Sequence, residues 1–430
     1  MRIIRWLRRQ FLLIAFGALL VFSAVLLAGS AAAKPAEVPR PAAQVEGMPS
    51  GAPLTPQEVA LGHERAARAR AIELGSLFFN AALLVGVFAF GISRWLAGLV
   101  ARIGRHWLLG LLAVLGIVGV ASSLLTLPLD YYAGFIFPHQ YGLSNQTTAA
   151  WLRDHFVGAG VGALLGLPVA ALIYALLRWK PKTWWAWVTA VSVPLSLFFM
   201  LVGPVFVAPL FNKFTPLQDQ ELRREILAMA HAQGVPANDV FQVDASRQSN
   251  AVNAYVNGIG PTQRIVLYDT LLRWFSHEEI KHVMAHEIGH YVLGHIPLGI
   301  GLSVAGTLFS TLALYGIAGA ILRRWGGALG FGSLGHPASY PLLLALGLGL
   351  SLLAMPIASA VSRAMEWQAD RFASRIDRNH QAGITVYYKL ARLNIADMNP
   401  PRWAQVLFGT HPTIRERIAY LEELERRESE

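Results

Sequence analysis

Met284-Ala285-His286-Glu287-Ile288-Gly289-His290 is the stretch on which the reading of this chain turns. It contains H-E-x-x-H, which on an α-helix places two imidazoles four residues apart on one face. Both can coordinate a single zinc ion at ~2.0–2.1 Å, and the glutamate between them can take a proton from a water that the metal activates. The flanking residues favour a helix. Ser276 followed by Glu279 is a capping box, and no proline intervenes before Pro297. A surface helix with scattered histidines satisfies the same five letters, so the pattern takes its meaning from the rest of the chain.

That chain has 430 residues, of which 54% are hydrophobic and only 14% charged, with a mean hydropathy of +0.43. These values exclude an ordinary soluble globular domain and fit a polytopic membrane protein. There is no cysteine. Disulfides and thiolate metal sites are thereby excluded, and any metal must be held by His, Asp or Glu. The net charge is +10, but much of it sits in short loops beside apolar runs, as lipid headgroups favour. No nucleic-acid module is visible and no nucleic-acid partner is expected.

Residues 1–33 carry Arg2, Arg5, Arg8 and Arg9, an apolar run over 11–27, and Ala31-Ala32-Ala33. This describes either a transmembrane helix or a cleavable signal peptide. Residues 34–73 read as a Pro/Ala/Gly-rich linker and a polar helix at 57–72. Within 74–211 four spans are predicted, at 74–92, 107–127, 156–177 and 184–211. Charges return in 212–295, where a helix at 222–231 and short strands at 239–243, 251–256 and 264–268 lead into H-E-x-x-H. That is the pattern of a small α+β unit. Residues 296–361 hold two further spans, at 296–322 and 341–361, and 362–430 form a charged, helical C-terminal part. The predicted fold is therefore mainly α and polytopic, with about seven transmembrane helices and one small α+β unit.

Charge gives the orientation. Residues 1–10, 93–106, 178–183 and 323–325 fall on one predicted side and hold twelve Lys/Arg with no acid. The positive-inside rule makes that side cytoplasmic. H-E-x-x-H then faces away from the cytoplasm, towards the periplasm if the membrane is the inner membrane of a two-membrane bacterium. A cytoplasmic active side is the alternative, because long domains obey the rule weakly.

A hydrolytic zinc site needs a third protein ligand and one open position. Glu366 is the candidate, lying just past the last span on the side of His286 and His290. Asp370, four residues on, falls on the same helix face and suits a hydrogen bond from the second nitrogen of a ligand imidazole. Taken alone, both are equally readable as ordinary charged residues of an exposed helix.

Several segments, in order, resemble the type I CAAX prenyl endopeptidases, integral-membrane zinc metalloproteases of the a-factor-converting type. They are His286-Glu287-Ile288-Gly289-His290-Tyr291-Val292-Leu293-Gly294-His295, the E-x-x-x-D of Glu366 and Asp370, and Asn253-Ala254-Tyr255. Arg264-Ile265-Val266-Leu267-Tyr268-Asp269-Thr270-Leu271-Leu272 and His411-Pro412 with Arg415, Glu416, Arg417 and Ile418 complete the set. The likeness runs from about residue 54 to the end and includes the loop after the third span. It implies seven helices around an intramembrane chamber closed by a gluzincin-like metalloprotease unit, and it favours a retained N-terminal helix. It further implies one Zn2+ per chain held by His286, His290 and Glu366, Glu287 as the base and Asp370 behind the ligands. His411 would face the oxyanion, with the nearby arginines as further candidates. Asn253, Ala254 and Tyr255 would bind an extended substrate by strand addition.

The expected activity is membrane-embedded zinc endopeptidase cleavage of a peptide or protein, possibly lipid-modified, at the bilayer. Prenylated substrates belong to the cytosol, whereas charge places this active side opposite. A non-prenyl quality-control protease is therefore an alternative, and a non-proteolytic chamber or transport protein is another. An intramembrane-cleaving protease is disfavoured, because H-E-x-x-H lies in a polar helix.

Overall fold

The computed structural model describes residues 51–257 and 263–430. The apolar run at 11–27 lies outside the described residues. Long apolar sequences become long helices because a helix satisfies its own backbone in a solvent that offers no hydrogen bonds. Among the described residues six such helices are long and apolar enough to cross a membrane. Helix α1 (Pro56–Ala89) starts at a capping box formed by Thr55 and Glu58, and α2 (Ile92–Ile103) follows as a short amphipathic helix. Then come α3 (Trp107–Tyr131), α4 (Thr148–Trp179) and α5 (Trp184–Val202). Leu164, Phe309 and Leu353 on these and later helices are at least 72% exposed, an apolar surface that suits a bilayer better than water.

The α+β unit follows. Strand β1 (Phe214–Pro216) pairs antiparallel with β2 (Val240–Val243), which runs parallel to β4 (Arg264–Tyr268), with β3 (Ala254–Asn257) antiparallel at the far edge. Ile265, Val266 and Leu267 are fully buried in succession, as a strand covered on both faces must be. Helix α6 (Gln220–Ala232), capped by Asp219, and α7 (His277–Val292) share one core with the sheet, built on Ile226, Val240, Ile265, Leu267, Ile280, Met284 and Ile288. Two more membrane helices, α8 (His295–Leu329) and α9 (Tyr340–Ile376), precede α10 (His380–Leu393), α11 (Arg402–Phe408) and α12 (Ile414–Ser429).

Three expectations need correction. The polar helix at 57–72 and the span at 74–92 are one continuous helix, α1. The 128–155 segment is less of a loop than its polarity suggested. After Pro128 the helix continues through a π turn, Tyr132–Ile136, to Gln140, the displaced backbone bonds being re-formed one residue further on. Finally, α9 crosses the end of the span predicted at 361 without a break and runs 37 residues. Loss of hydropathy marks the exit from a bilayer, but ending a helix takes a backbone signal, and none stands between Val361 and Ile376.

At one end of the bundle the described basic segments come together. The Arg178 guanidinium lies 5.3 Å from the centre of the Trp107 ring and its Nη1 donates to the Gly335 carbonyl. Gly330, at φ +89°, is held so close to Arg94 that a Cβ would stand 3.0 Å from the Arg94 Cα. Buried Tyr174 and Ser339 hydrogen-bond there at 3.0 Å. Between α1, α2, α3 and α9 lies a largely apolar cavity of about 710 Å³.

Candidate metal centre

Helix α7 begins at Ser276, whose side chain accepts from the Glu279 N–H while Glu279 caps the Ser276 N–H in return. Glu279 is buried, and Lys389 of α10 reaches it at 2.7 Å while also donating to the Trp274 carbonyl. This fixes the start of the helix whose next turns carry His286, Glu287 and His290. Helix α9 packs alongside. Gly289 allows the close approach, since a Cβ there would stand 3.0 Å from the Phe372 ring. A buried His282–Asp377 pair at 2.9 Å ties the same two helices together.

That packing delivers Glu366 to the histidines. Its Oε2 lies 3.2 Å from His286 Nε2 and its Oε1 3.4 Å from His290 Nε2, and the two Nε2 atoms are 3.1 Å apart. Behind His286, Asp370 Oδ1 accepts from Nδ1 at 2.9 Å and from the Tyr387 hydroxyl at 3.0 Å. Arg417 of α12 donates to both oxygens of Asp370 and lies over the Tyr387 ring at 4.4 Å. Burial opposes a charged His286, yet hydrogen bonds to Asp370 and Glu366 prevail and raise it to about 9. Burial also raises the Glu287 carboxyl, against the pull of the two histidines. Arg417 is held charged by Tyr387 and Asp370 although it is buried.

His411 sits in the turn before α12, with Nε2 3.4 Å from Glu366 Oε2. Its ring is 2.9 Å from Thr410 Oγ1, and Gln405 donates to its carbonyl. Thus His286, Glu287, His290, Glu366, Asp370 and His411, drawn from three separate segments, converge. Asn253, Ala254 and Tyr255 do not join them directly. They open edge strand β3, which packs against α7, and among the described residues no hydrogen bond or ion pair links them to the cluster. Asn253 is exposed, Ala254 is in the core and Tyr255 packs edge-on against Tyr268. Sequence reasoning missed Tyr387, which lies in no motif. It also missed Arg417's grip on Asp370, although that residue stood inside the His411-Pro412 element.

Residues 63–213 match the model of the CAAX prenyl protease N-terminal region, described as five membrane helices, and residues 216–425 match that of peptidase family M48. An uncharacterized metalloprotease of Bacillus subtilis, YhfN, is 34% identical over 81% of this chain and 80% of its own length. The chain belongs to peptidase family M48. CAAX prenyl protease 1 of Saccharomyces cerevisiae is 30% identical over 72% of each protein. The crystal structure of S. mikatae Ste24p superposes with a TM-score of 0.72 over 97% of both chains at 24% identity, which establishes a shared fold. This M48 peptidase is therefore a multi-pass membrane metalloprotease.

The donor set of the M48 centre bears out the metal that the family implies. One ligand atom each from His286, His290 and Glu366 lies within 4.8 Å of the others. Glu366 Oε2 is buried yet makes no hydrogen bond, a costly state that a cation relieves. With His286 Nδ1–H given to Asp370, Nε2 is the nitrogen that would surrender its proton to a metal and turn a lone pair towards Glu366. Two imidazoles and a carboxylate leave one coordination position open, the donor set of a hydrolytic rather than a structural site.

Proposed function

We propose that this protein is a zinc endopeptidase of the CAAX prenyl protease kind, cutting peptides that reach the site from the membrane domain. The observation that carries the reading is the convergence of His286 Nε2, His290 Nε2 and Glu366 Oε2, which among the described residues accepts no hydrogen bond, beside Glu287. His286, His290 and Glu366 would hold the ion, and a His2Glu set suits zinc better than other divalent metals. When bound, zinc supplies Lewis acidity to the scissile carbonyl and brings the pKa of water towards ~7. Glu287, next to His286 on α7, takes the proton of the attacking water and delivers it to the leaving amine. His411, on the opposite wall beside Glu366, donates from its ring to the developing oxyanion. Strand β3 offers the substrate a sheet edge, with Asn253 at its head and Ala254 and Tyr255 following.

A second reading concerns the substrate. The basic segments gathered at the far end of the bundle support a cytoplasmic location for that end, and hence an active side in the periplasm of a bacterial inner membrane. Prenylated proteins are not found there, and this favours unlipidated membrane or secreted peptides. Purified protein and its Glu287→Ala variant, assayed on fluorescent peptides with and without a farnesyl cysteine, separate the possibilities. We expect equal zinc content and a loss of about 10²–10⁴-fold in turnover for the variant. Preference between the peptides decides the substrate class. Inert wild-type protein that holds zinc would mean a non-proteolytic chamber.

A further inference from the structure

His286 has a carboxylate behind it, but among the described residues no carboxylate touches the outer nitrogen of His290. That nitrogen, Nδ1, lies 2.9 Å from Nδ1 of His295, and His295 Nε2 lies 3.2 Å from Gln368 Oε1. His295 is the first residue of α8 and is 3% exposed. It is turned back onto α7 by Gly294, the residue between the two helices, at φ +69°. A side chain at 294 would strain this reversal. Gln368 stands on α9 between Glu366 and Asp370, with its side chain at the accessible edge.

Two neutral imidazoles in series can carry their protons in either direction. In one, Gln368 Oε1 accepts from His295 Nε2–H, His295 Nδ1 accepts from His290 Nδ1–H, and His290 Nε2 shows a lone pair to Glu366 and His286. In the other, every proton is reversed and His290 Nε2 carries hydrogen into the donor cluster, where no metal can bind it. The group at position 368 chooses. Gln368 turns its oxygen to His295 and so selects the ligating tautomer, whereas a side chain with only donors would forbid it.

We propose that His295 and Gln368 are positioning residues that set the tautomer of His290, so that α9 governs both histidines, His286 through Asp370 and His290 through Gln368 and His295. The proposal rests on the metal-centre reading above and goes beyond it in assigning how the second histidine is made a ligand.

The test measures zinc stoichiometry and affinity of the full-length, detergent-purified protein by chelator competition. The variants are Gln368→Glu, Gln368→Met, Gln368→Lys and His295→Phe. Losing such a partner typically costs about 10–100-fold in metal affinity. We expect Gln368→Lys and His295→Phe to lose about that much, and Gln368→Met less. Gln368→Glu, which keeps only acceptors, should bind zinc at least as tightly as wild type, to within about threefold. Position 368 is exposed, so the three substitutions there are tolerated by the fold and the comparison does not depend on the buried His295. Equal affinity for Gln368→Glu and Gln368→Lys, with wild type binding zinc, would overturn the relay alone. A wild-type protein that takes up no zinc would overturn the metal centre and the relay with it.

Discussion

His286 and His290 are one helical turn apart and look equivalent in the motif, yet their surroundings differ in charge. Asp370 is a buried anion held by Arg417 and Tyr387, so His286 is oriented by a network whose members are each satisfied. An amide in place of that carboxylate would carry no charge for Arg417 to hold or for His286 to lean on. Asp370→Asn should therefore weaken zinc binding by about 10–100-fold while the fold persists, a change read by chelator competition. His411 stands apart from the two histidines in role. It approaches Glu366 and is tied to Thr410 of its own turn and, through its carbonyl, to Gln405 of α11. His411→Ala is expected to leave zinc content unchanged and to lower kcat by about 10²–10³-fold, and steady-state kinetics on a fluorescent peptide would check it. That His286, Glu287 and His290 lie together on one helix could be read from their spacing and the capping box before it, while their part in a metal site leaned on the rest of the chain. Glu366 and Asp370 were readable once the chain was known to return to the same side. Tyr387 was not, since a buried hydroxyl donor leaves no pattern in one sequence.

At the scale of elements, α7 is anchored at its start by a charge pair rather than by apolar packing alone. Lys389 and Glu279 are both buried, and Glu279 also serves as the cap. Removing one partner leaves the other charge unpaired out of water, so Lys389→Met should destabilise the protein by about 3–5 kcal/mol. Thermal unfolding of the purified protein is the measurement, and an unchanged midpoint would refute the claim. Elements were most legible where hydropathy is strong, as in α3, α4, α5 and α8. They were least legible where polarity and backbone disagree. The π turn after Pro128 and the run of α9 past residue 361 both keep helical geometry through a polar stretch. Strand β1, three residues including Pro216, is too short to show any alternation, and it exists because β2 offers it an edge.

The whole molecule divides its chemistry between two ends. One end gathers Arg94, Arg178 and the turn at Gly335, and the other gathers the donors of the metal centre. Helix α9 joins them. At 1.5 Å per residue its 37 residues span about 55 Å, well beyond the ~30 Å of a hydrocarbon core. The histidines ride on α7, which shares its core with the sheet, whereas Glu366 rides on a rod whose other end packs at the basic end of the bundle. A slide of α9 by a single residue would carry Glu366 about 1.5 Å along α7, most of the length of a zinc–oxygen bond. Helix α9 is thus the element through which a mismatch between bundle and bilayer would reach the donor set. Reconstituted in phospholipids of graded chain length, the protein should hold zinc longest in the bilayer that matches its helices, and release it faster in thinner and thicker ones. Zinc release timed with a chelating dye would read that match directly, and a rate indifferent to chain length would show the centre to be insulated from the bilayer.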